Sequence, residues 1–150
     1  MVDYVDLWDR YSIEFCKKLE YDCNGDWGKL DLDEQEIAAL WKLVVDINNG
    51  GFEQFFCNWG YECYWYAMRG IQRMGRRDIV EVFHGTYTDV FDKFKNDARI
   101  KAYWDIPEYF SDDDKKRLNK TDDWFYEGKG EELCKSAYEF YHDNLKKAAK

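Results

Sequence analysis

Polar side chains that could do chemistry follow a glycine turn in the middle of the chain. Residues 48–60, N-N-G-G-F-E-Q-F-F-C-N-W-G, interleave Asn49, Glu53, Gln54 and Asn58 with large aromatic residues. Three amides and one acid beside a turn could line a pocket for a small polar molecule. The same amides could instead satisfy backbone groups where two helices meet. We favour the second interpretation and keep the pocket, lined by Asn49, Gln54 and Asn58, as the alternative.

A calcium loop is only weakly indicated. Asp22, Asn24, Asp26 and Asp33 fall at positions 1, 3, 5 and 12 of such a loop. Trp27 stands where the sharp turn needs glycine, and an aspartate at the last position is shorter than the usual bidentate glutamate. A polar turn before a capped helix explains the same residues better.

Zinc and acid–base catalysis are equally poorly supported. Cys57 and Cys63 are separated by five residues, which is wider than a usual zinc-binding pair, and His84 and His142 lie far along the chain. No nucleophile motif and no phosphate-binding glycine loop occurs. We therefore expect no catalytic residue, no metal and no cofactor, and we expect that the protein is not an enzyme.

The composition indicates a globular acidic protein with an aromatic core. Aromatic residues make up 19% of the 150 residues, and 31 Asp and Glu against 22 Lys and Arg give a net charge of −9. Such a charge repels nucleic acids and anionic membranes, whose protein contacts rely on Lys and Arg. A basic protein is the partner that it would attract, and the chain itself is expected to be a monomer or a homodimer.

Cysteine usage and the absence of a leader pattern predict a cytoplasmic protein. The five cysteines are an odd number, scattered among apolar neighbours, so we expect reduced thiols packed in the core. No secretory signal opens the sequence, and no apolar run approaches the ~20 residues that span a bilayer.

Helical periodicity of apolar residues dominates the chain. It predicts helices over about 4–19, 33–47, 61–74, 76–96 and 133–145, with a short helix from Gly51 to about Gly60. No alternating apolar run is joined to another by a hairpin turn, so no strand is predicted. The expected fold is all-α: a single compact multi-helix domain over residues 1–150 with an aromatic-rich core.

Capping chemistry predicts where the central helices begin and end. Asp33 followed by Glu36 fits a capping box at the start of the second helix. Residues 48–50 tolerate the left-handed conformation that ends a helix. Gly51 can serve as the next N-cap, with the amide of Gln54 reaching back to its N–H.

The last third of the sequence is more broken. Pro107 marks a boundary, and Ser111 with Asp114, and then Thr121, are typical of helix caps. The final helix, 133–145, is predicted to face the core with Leu133, Ala137, Phe140, Tyr141 and Leu145.

Acidic residues form rows at helical spacing. Carboxylates at every third or fourth helix position rise by about 4.5–6 Å, whereas B-DNA phosphates advance by about 3.4 Å per nucleotide. Two facing rows of carboxylates can therefore approximate the regular line of phosphates along DNA, or they can be ordinary solvated helix faces. The candidate partner-binding acids are Asp3, Asp6, Asp9, Asp31, Asp33, Glu34, Glu36, Asp112, Asp113, Asp114, Asp122, Asp123 and Glu127. Basic pairs and triplets at 76–77, 115–117 and 146–147 restrict any DNA-like array to one face.

The segment 48–60 resembles the hallmark N-G-G-F-x-Q-F-F-x-N of a family of small bacterial domains of unknown function, typified by DNA-mimic protein nineteen. The residues that match are Asn49, Gly50, Gly51, Phe52, Gln54, Phe55, Phe56 and Asn58. The helix before this segment, the A-x3-I-x2-M-G pattern at 67–75 and the D-D-x-F-Y run at 122–126 also fit. The resemblance thus covers most of residues 30–145.

This resemblance implies an all-α fold and a non-enzymatic role. For the namesake, it implies an acidic surface that imitates duplex DNA and occupies the DNA-binding face of a transcription regulator. The hallmark residues are expected to be structural, since mimicry depends on scattered surface acids that no motif transfers. We therefore expect an acidic protein-interaction domain that binds a basic partner, such as a DNA-binding regulator, without binding nucleic acid or membrane itself.

Overall fold

Residues 1–148, the part of the chain that the computed structural model describes, consist mainly of six α-helices joined by short π-helical and 3₁₀-helical turns. The α-helices are α1 Tyr4–Lys17, α2 Leu32–Arg73, α3 Arg77–Thr86, α4 Asp112–Trp124, α5 Gly130–Phe140 and α6 His142–Ala148. The π-helical turns are Lys18–Asp22, Tyr87–Phe91 and Phe125–Lys129, and the 3₁₀ turns are Trp27–Lys29, Asp92–Phe94 and Tyr103–Tyr109. These described residues contain no strand, and the prediction of an all-α fold is confirmed.

Two glycine breaks divide α2 into three segments, 32–49, 52–59 and 61–73. Gly51 has φ 85° and ψ 176°, and Gly60 has φ 74° and ψ −156°. This combination of positive φ with extended ψ is essentially restricted to glycine, because a Cβ would collide with the backbone. The predicted short helix between two glycine turns is therefore confirmed.

Both breaks also let another part of the chain touch the backbone. A Cβ on Gly51 would lie 2.3 Å from a carboxylate oxygen of Asp122 in α4. A Cβ on Gly60 would lie 2.0 Å from the ring of Tyr103. Glycine at these positions is required by conformation and by the space that the neighbouring side chains occupy.

The middle segment of α2 supplies the centre of the aromatic core. Phe52, Phe55 and Phe56 are fully buried. Phe52 stacks on Phe83 with ring centroids 5.2 Å apart, and Phe56 stacks on Phe91 at 4.3 Å. Offset stacking of this kind adds to the free energy gained by burying the rings. The 52–59 segment is thus held between α3 and the turn that follows it.

The N-cap of α2 lies two residues earlier than predicted. The capping box is Asp31 with Glu34: Asp31 Oδ1 accepts from Glu34 N at 2.8 Å, and Glu34 Oε1 accepts from Asp31 N at 3.0 Å. The prediction that Asp33 and Glu36 form this box is wrong, because both pairs have the same spacing in an acid-rich run. The box of Ser111 with Asp114 at the start of α4 is confirmed.

Two further predicted features of the last third are wrong. Thr121 is buried inside α4, and its hydroxyl contacts that of Thr86 at 2.6 Å instead of capping a helix. The predicted helix 133–145 is interrupted at Tyr141, whose φ of −95° and ψ of 16° separate α5 from α6. This turn buries Tyr141 and leaves Phe140 at 40% exposure.

The conformation at Gly60 predicts that alanine destabilises the protein more at this position than at Gly25. Replacing Gly60 by alanine should cost about 3 kcal/mol or more in the free energy of unfolding, since it adds backbone strain and a clash with Tyr103. Gly25 also has positive φ, +76°, but has no atom within 4 Å of an added Cβ. Gly25→Ala should therefore cost only about 1 kcal/mol. Urea unfolding of both variants measures the difference, and equal losses would contradict the packing argument.

Candidate functional site

The amides of the 48–60 segment converge on one carboxylate, that of Asp46. Gln54 Nε2 donates to Asp46 Oδ1 at 3.0 Å, and Trp59 Nε1 donates to Asp46 Oδ2 at 2.7 Å. Asn58 Nδ2 lies 3.5 Å from the same oxygen, and Asn49 Nδ2 donates to Gln54 Oε1 at 3.2 Å. Asp46 is buried, so these donors replace the water that its carboxylate would otherwise bind.

The middle segment of α2 is capped from another helix. Asp122 Oδ1, in α4, accepts a hydrogen bond from Phe52 N at 2.9 Å. A carboxylate at this position also interacts favourably with the positive end of the helix dipole. The prediction that Gln54 reaches back to the N–H of Gly51 is wrong, because its amide binds the side chains of Asp46 and Asn49.

These contacts assign a structural role to the hallmark residues. The hallmark phenylalanines lie in the core, the glycines make the break, and Gln54 and Asn58 hold Asp46. A pocket lined by Asn49, Gln54 and Asn58 would need these amides free to bind a ligand. The structure therefore gives the pocket alternative no support.

Glu36 does not belong to any surface, and its assignment to the partner-binding acids is corrected. The side chain is fully buried, accepts hydrogen bonds from Arg69 Nε and Arg73, and accepts another from the Tyr141 hydroxyl at 2.8 Å. Position 36 shares the inward face of α2 with Leu40 one turn later. In the sequence, Glu36 is not distinguishable from the acids around it. The hydrogen-bond partners that reveal its burial lie 33, 37 and 105 residues away along the chain.

Other predicted acids are also occupied by local contacts. Asp114 is buried at 5% exposure, where it completes the α4 capping box and pairs with Lys93 at 2.6 Å, so it too is corrected as a surface acid. Asp33 and Glu34 are half-buried and form ion pairs, and Asp31 is exposed but serves as the α2 N-cap. Because of these contacts, the four acids are less available to a partner than their helical spacing in the sequence suggests.

The acids of α1 remain exposed and lie beside the first glycine break. Asp3, Asp6 and Asp9 line a cleft of about 250 Å³ together with Trp41 and Asn48 of α2. Trp41 Nε1 donates to Asp9 Oδ1 at 2.9 Å, which joins the two helices at this point. The predicted row on α1 therefore faces solvent next to the turn that ends the first segment of α2. Its acids also make local contacts, since Asp3 Oδ1 accepts from Asp6 N at 3.0 Å as the α1 N-cap and Asp6 pairs with Arg10.

The end of α4 approaches the same turn from the other side. Tyr126 donates its hydroxyl hydrogen to Ile47 O, and Asp122 caps Phe52. The pKa of Tyr126 is raised by burial and by the charges of Asp122 and Asp123. We use the term junction surface for the carboxylates that flank residues 47–52: Asp3, Asp6, Asp9, Glu53, Asp122 and Asp123.

The remaining acids of α4 are kept apart from this surface. Asp112 and Asp113 are exposed at the start of α4, about 15 Å from Asp123 by the rise of a helix. Glu127, in the turn after α4, lines a cleft together with Asp123, Lys116 and Lys120, so lysines border the junction surface at Asp123 and separate Glu127 from the rest of the acids. The structure thus brings together only part of the predicted set.

Sequence reasoning missed two acids near the α1 row. Glu131 and Glu132, exposed in the first turn of α5, line a surface cleft with Asp3. Burial first, and then the charges of Asp9, Glu131 and Asp3, raise the pKa of Cys134 to about 12. The only signal in the sequence is an acid in a first helical turn, which is too common a feature to mark a site.

Crowding of carboxylates has an electrostatic consequence within the junction surface. Burial, and then the charge of Asp122, raises the pKa of Glu53. Burial raises the pKa of Asp122 as well, against the lowering effect of the hydrogen bond from Phe52 and with a further increase from Asp123. Both burial and the neighbouring carboxylate charges therefore disfavour the charged form of these two side chains.

Metal-binding clusters and membrane spans are both absent from the described part of the chain. Within residues 1–148, no group of three His, Cys, Asp or Glu side chains is arranged to hold a metal ion. No helix in that range is long and apolar enough to cross a membrane.

Together, the fold and this surface define an all-α domain with an acidic junction around a glycine break. The model of the DMP19-like protein family matches residues 28–144, and the chain therefore belongs to that family. The family resemblance drawn from the 48–60 segment is confirmed. Comparisons with curated proteins and with solved structures gave no significant match.

The burial of Glu36 gives a prediction with an internal control. Glu36→Gln should lower the free energy of unfolding by about 2–3 kcal/mol, because it leaves two arginines without a buried anionic partner. Asp33 pairs with the same Arg73 but is half-exposed. Asp33→Asn should cost under about 1 kcal/mol. Chemical denaturation compares them, and a larger loss for Asp33→Asn would refute the assignment.

The raised pKa of Glu53 predicts a pH-dependent stability difference. A glutamate whose pKa is higher in the folded than in the unfolded state favours folding when it is protonated. This contribution to stability is lost as the pH rises from the ordinary pKa of 4.5 through the pKa of the folded protein. Glu53→Gln should therefore be more stable than the unmodified protein at neutral pH, with the difference disappearing near pH 4. Thermal unfolding across this range measures it; a difference that grows towards acid would contradict it. Glu81→Gln, at an exposed site on α3, is the control.

Proposed function

We propose that this chain is a non-enzymatic interaction domain whose junction surface binds a basic, DNA-contacting face of another protein. One observation carries the proposal: the first glycine break is flanked by exposed acids of α1 and by acids from the end of α4. Membership of the DMP19-like family supports the same role.

The geometry of α1 suits an array of basic side chains. Asp3, Asp6 and Asp9 follow one another at three-residue spacing, which corresponds to a rise of about 4.5 Å between neighbouring carboxylates. Arg and Lys groups that contact successive phosphates, about 3.4 Å apart along a strand, can make similar charge-assisted hydrogen bonds to carboxylates at this spacing. The α1 row is therefore comparable in scale to a short run of DNA phosphates.

The overall charge favours encounter with a basic protein. The net charge of −9 attracts a positively charged partner over a distance of about one Debye length and repels DNA itself. Complementary charge mainly accelerates association and selects the partner. On this basis we propose a DNA-binding regulator, or another nucleic-acid-binding protein, as the partner.

The test is affinity capture followed by competition. The immobilised protein should retain a DNA-binding protein from a bacterial extract at low salt, and duplex DNA should displace it from the purified pair. Binding should be lost at a few hundred millimolar salt, because exposed charge pairs are screened. A partner that stays bound at that salt, or that binds DNA and this chain at the same time, would overturn the proposal.

Matched charge variants locate the contact. Neutralising Asp3, Asp6, Asp9 and Asp123 together, each to Asn, should weaken binding to the captured partner about thirtyfold, from roughly 0.5 kcal/mol per exposed pair. The control variant removes the same charge from exposed acids outside the junction surface: Asp22→Asn, Glu81→Gln, Glu108→Gln and Glu139→Gln. Equal losses for the two variants would mean that net charge alone, and not this surface, determines binding.

A further inference from the structure

A second surface, of opposite character, lies at the other glycine break of α2. There the ring of Tyr103 packs against Gly60, and residues 94–106 form one wall of a cleft of about 490 Å³. The cleft is lined by aromatic and aliphatic side chains together with the lysines of this segment: Tyr61, Phe94, Ile100, Tyr103, Trp104, Lys95 and Lys101. A concave site of this size can enclose a large apolar side chain.

The segment beside this cleft is basic within an acidic protein. Residues 94–106 contain three basic residues and two acidic residues, a net charge of +1 in a chain of −9. Lys93 pairs with Asp114, and Arg99 pairs with Asp97, the acid that also lines the cleft. Lys95 and Lys101 form no ion pair with the residues of 1–148, so their ammonium groups are available to an anion.

A large aromatic side chain is left in solvent at the edge of the same cleft. Trp104 is 72% exposed and is, with Tyr21 and Trp65, among the most exposed aromatic side chains of residues 1–148. The backbone beside it is held, since Asp105 Oδ2 accepts hydrogen bonds from Lys101 N at 3.1 Å and Ala102 N at 3.0 Å at the start of the turn Tyr103–Tyr109. Tryptophan is enriched among the residues that contribute most to the binding energy of protein interfaces.

We propose that this cleft docks an acidic peptide segment that carries a phenylalanine or another large apolar anchor. The anchor would occupy the apolar cavity beside Trp104, and flanking carboxylates would bind Lys95 and Lys101. A long nucleic acid strand is disfavoured, since the net charge of −9 repels a polyanion beyond the local patch. A short peptide presents its charge only where the lysines are.

This docking site is separate from the junction surface. Gly51 and Gly60 stand at opposite ends of the middle segment of α2, about 13 Å apart by helical rise. The acids lie at the first end, and the lysines with Trp104 lie at the second. The domain can therefore hold two partners of opposite charge.

The test is a nuclear magnetic resonance titration of the nitrogen-15-labelled full chain with a defined probe. The probe is a peptide of about twelve residues made of Asp and Glu with one central Phe; the same peptide with Ala replacing Phe is its control. The Phe peptide should shift amide signals of residues 94–104 and of Tyr61, and the Ala peptide should bind at least about tenfold more weakly. Absence of shifts, or equal affinity for the two peptides, would overturn the proposal.

Variants distinguish this site from general attraction between charges. Lys95→Glu with Lys101→Glu, and separately Trp104→Ala, should each weaken binding about tenfold or more. Lys146→Glu with Lys147→Glu makes the same charge change on exposed residues of α6 and should alter affinity by less than about twofold. Equal effects of the two lysine pairs would refute the site. Tighter binding of single-stranded oligothymidylate than of the Phe peptide would also refute it, in favour of nucleic acid.

Discussion

The structure depends on a backbone conformation that only glycine adopts easily. At Gly51 and Gly60, positive φ with extended ψ interrupts α2 without ending it, so the chain changes direction twice within one run of helix. The absence of a Cβ at these points lets Asp122 and Tyr103 contact the backbone directly. Two distant parts of the chain are therefore fixed against α2, and each brings a surface of different charge with it.

Buried polar groups reinforce this arrangement. Asp46 and Glu36 are both residues of the first segment of α2, and both carboxylates are buried. Side-chain amides and an indole donate hydrogen bonds to Asp46, and two arginines and a tyrosine donate to Glu36. Buried carboxylates are tolerated only when their hydrogen bonds are satisfied, and then they specify one packing arrangement strongly. The two acids thus fix how the segments of α2 and the break between α5 and α6 meet.

The distribution of charge follows from the same geometry. The middle segment of α2 has acids at its amino-terminal end, where Asp122 complements the helix dipole. Basic and aromatic side chains of residues 94–104 gather at its carboxyl-terminal end, around the ring of Tyr103. A single short helix therefore separates an acidic surface from one that carries lysines and exposed aromatic side chains.

Local chemistry in the sequence was enough to predict the all-α fold, the two breaks in α2 and the cap at Ser111, because each depends on residues within a few positions of one another. It could not separate Asp31 with Glu34 from Asp33 with Glu36, since both pairs have capping-box spacing. Only the tertiary structure decided which acid is buried, because the partners of Glu36 and the hydrogen bond from Phe52 to Asp122 span 33 to 105 residues. Periodicity and spacing carry no information about contacts at that separation.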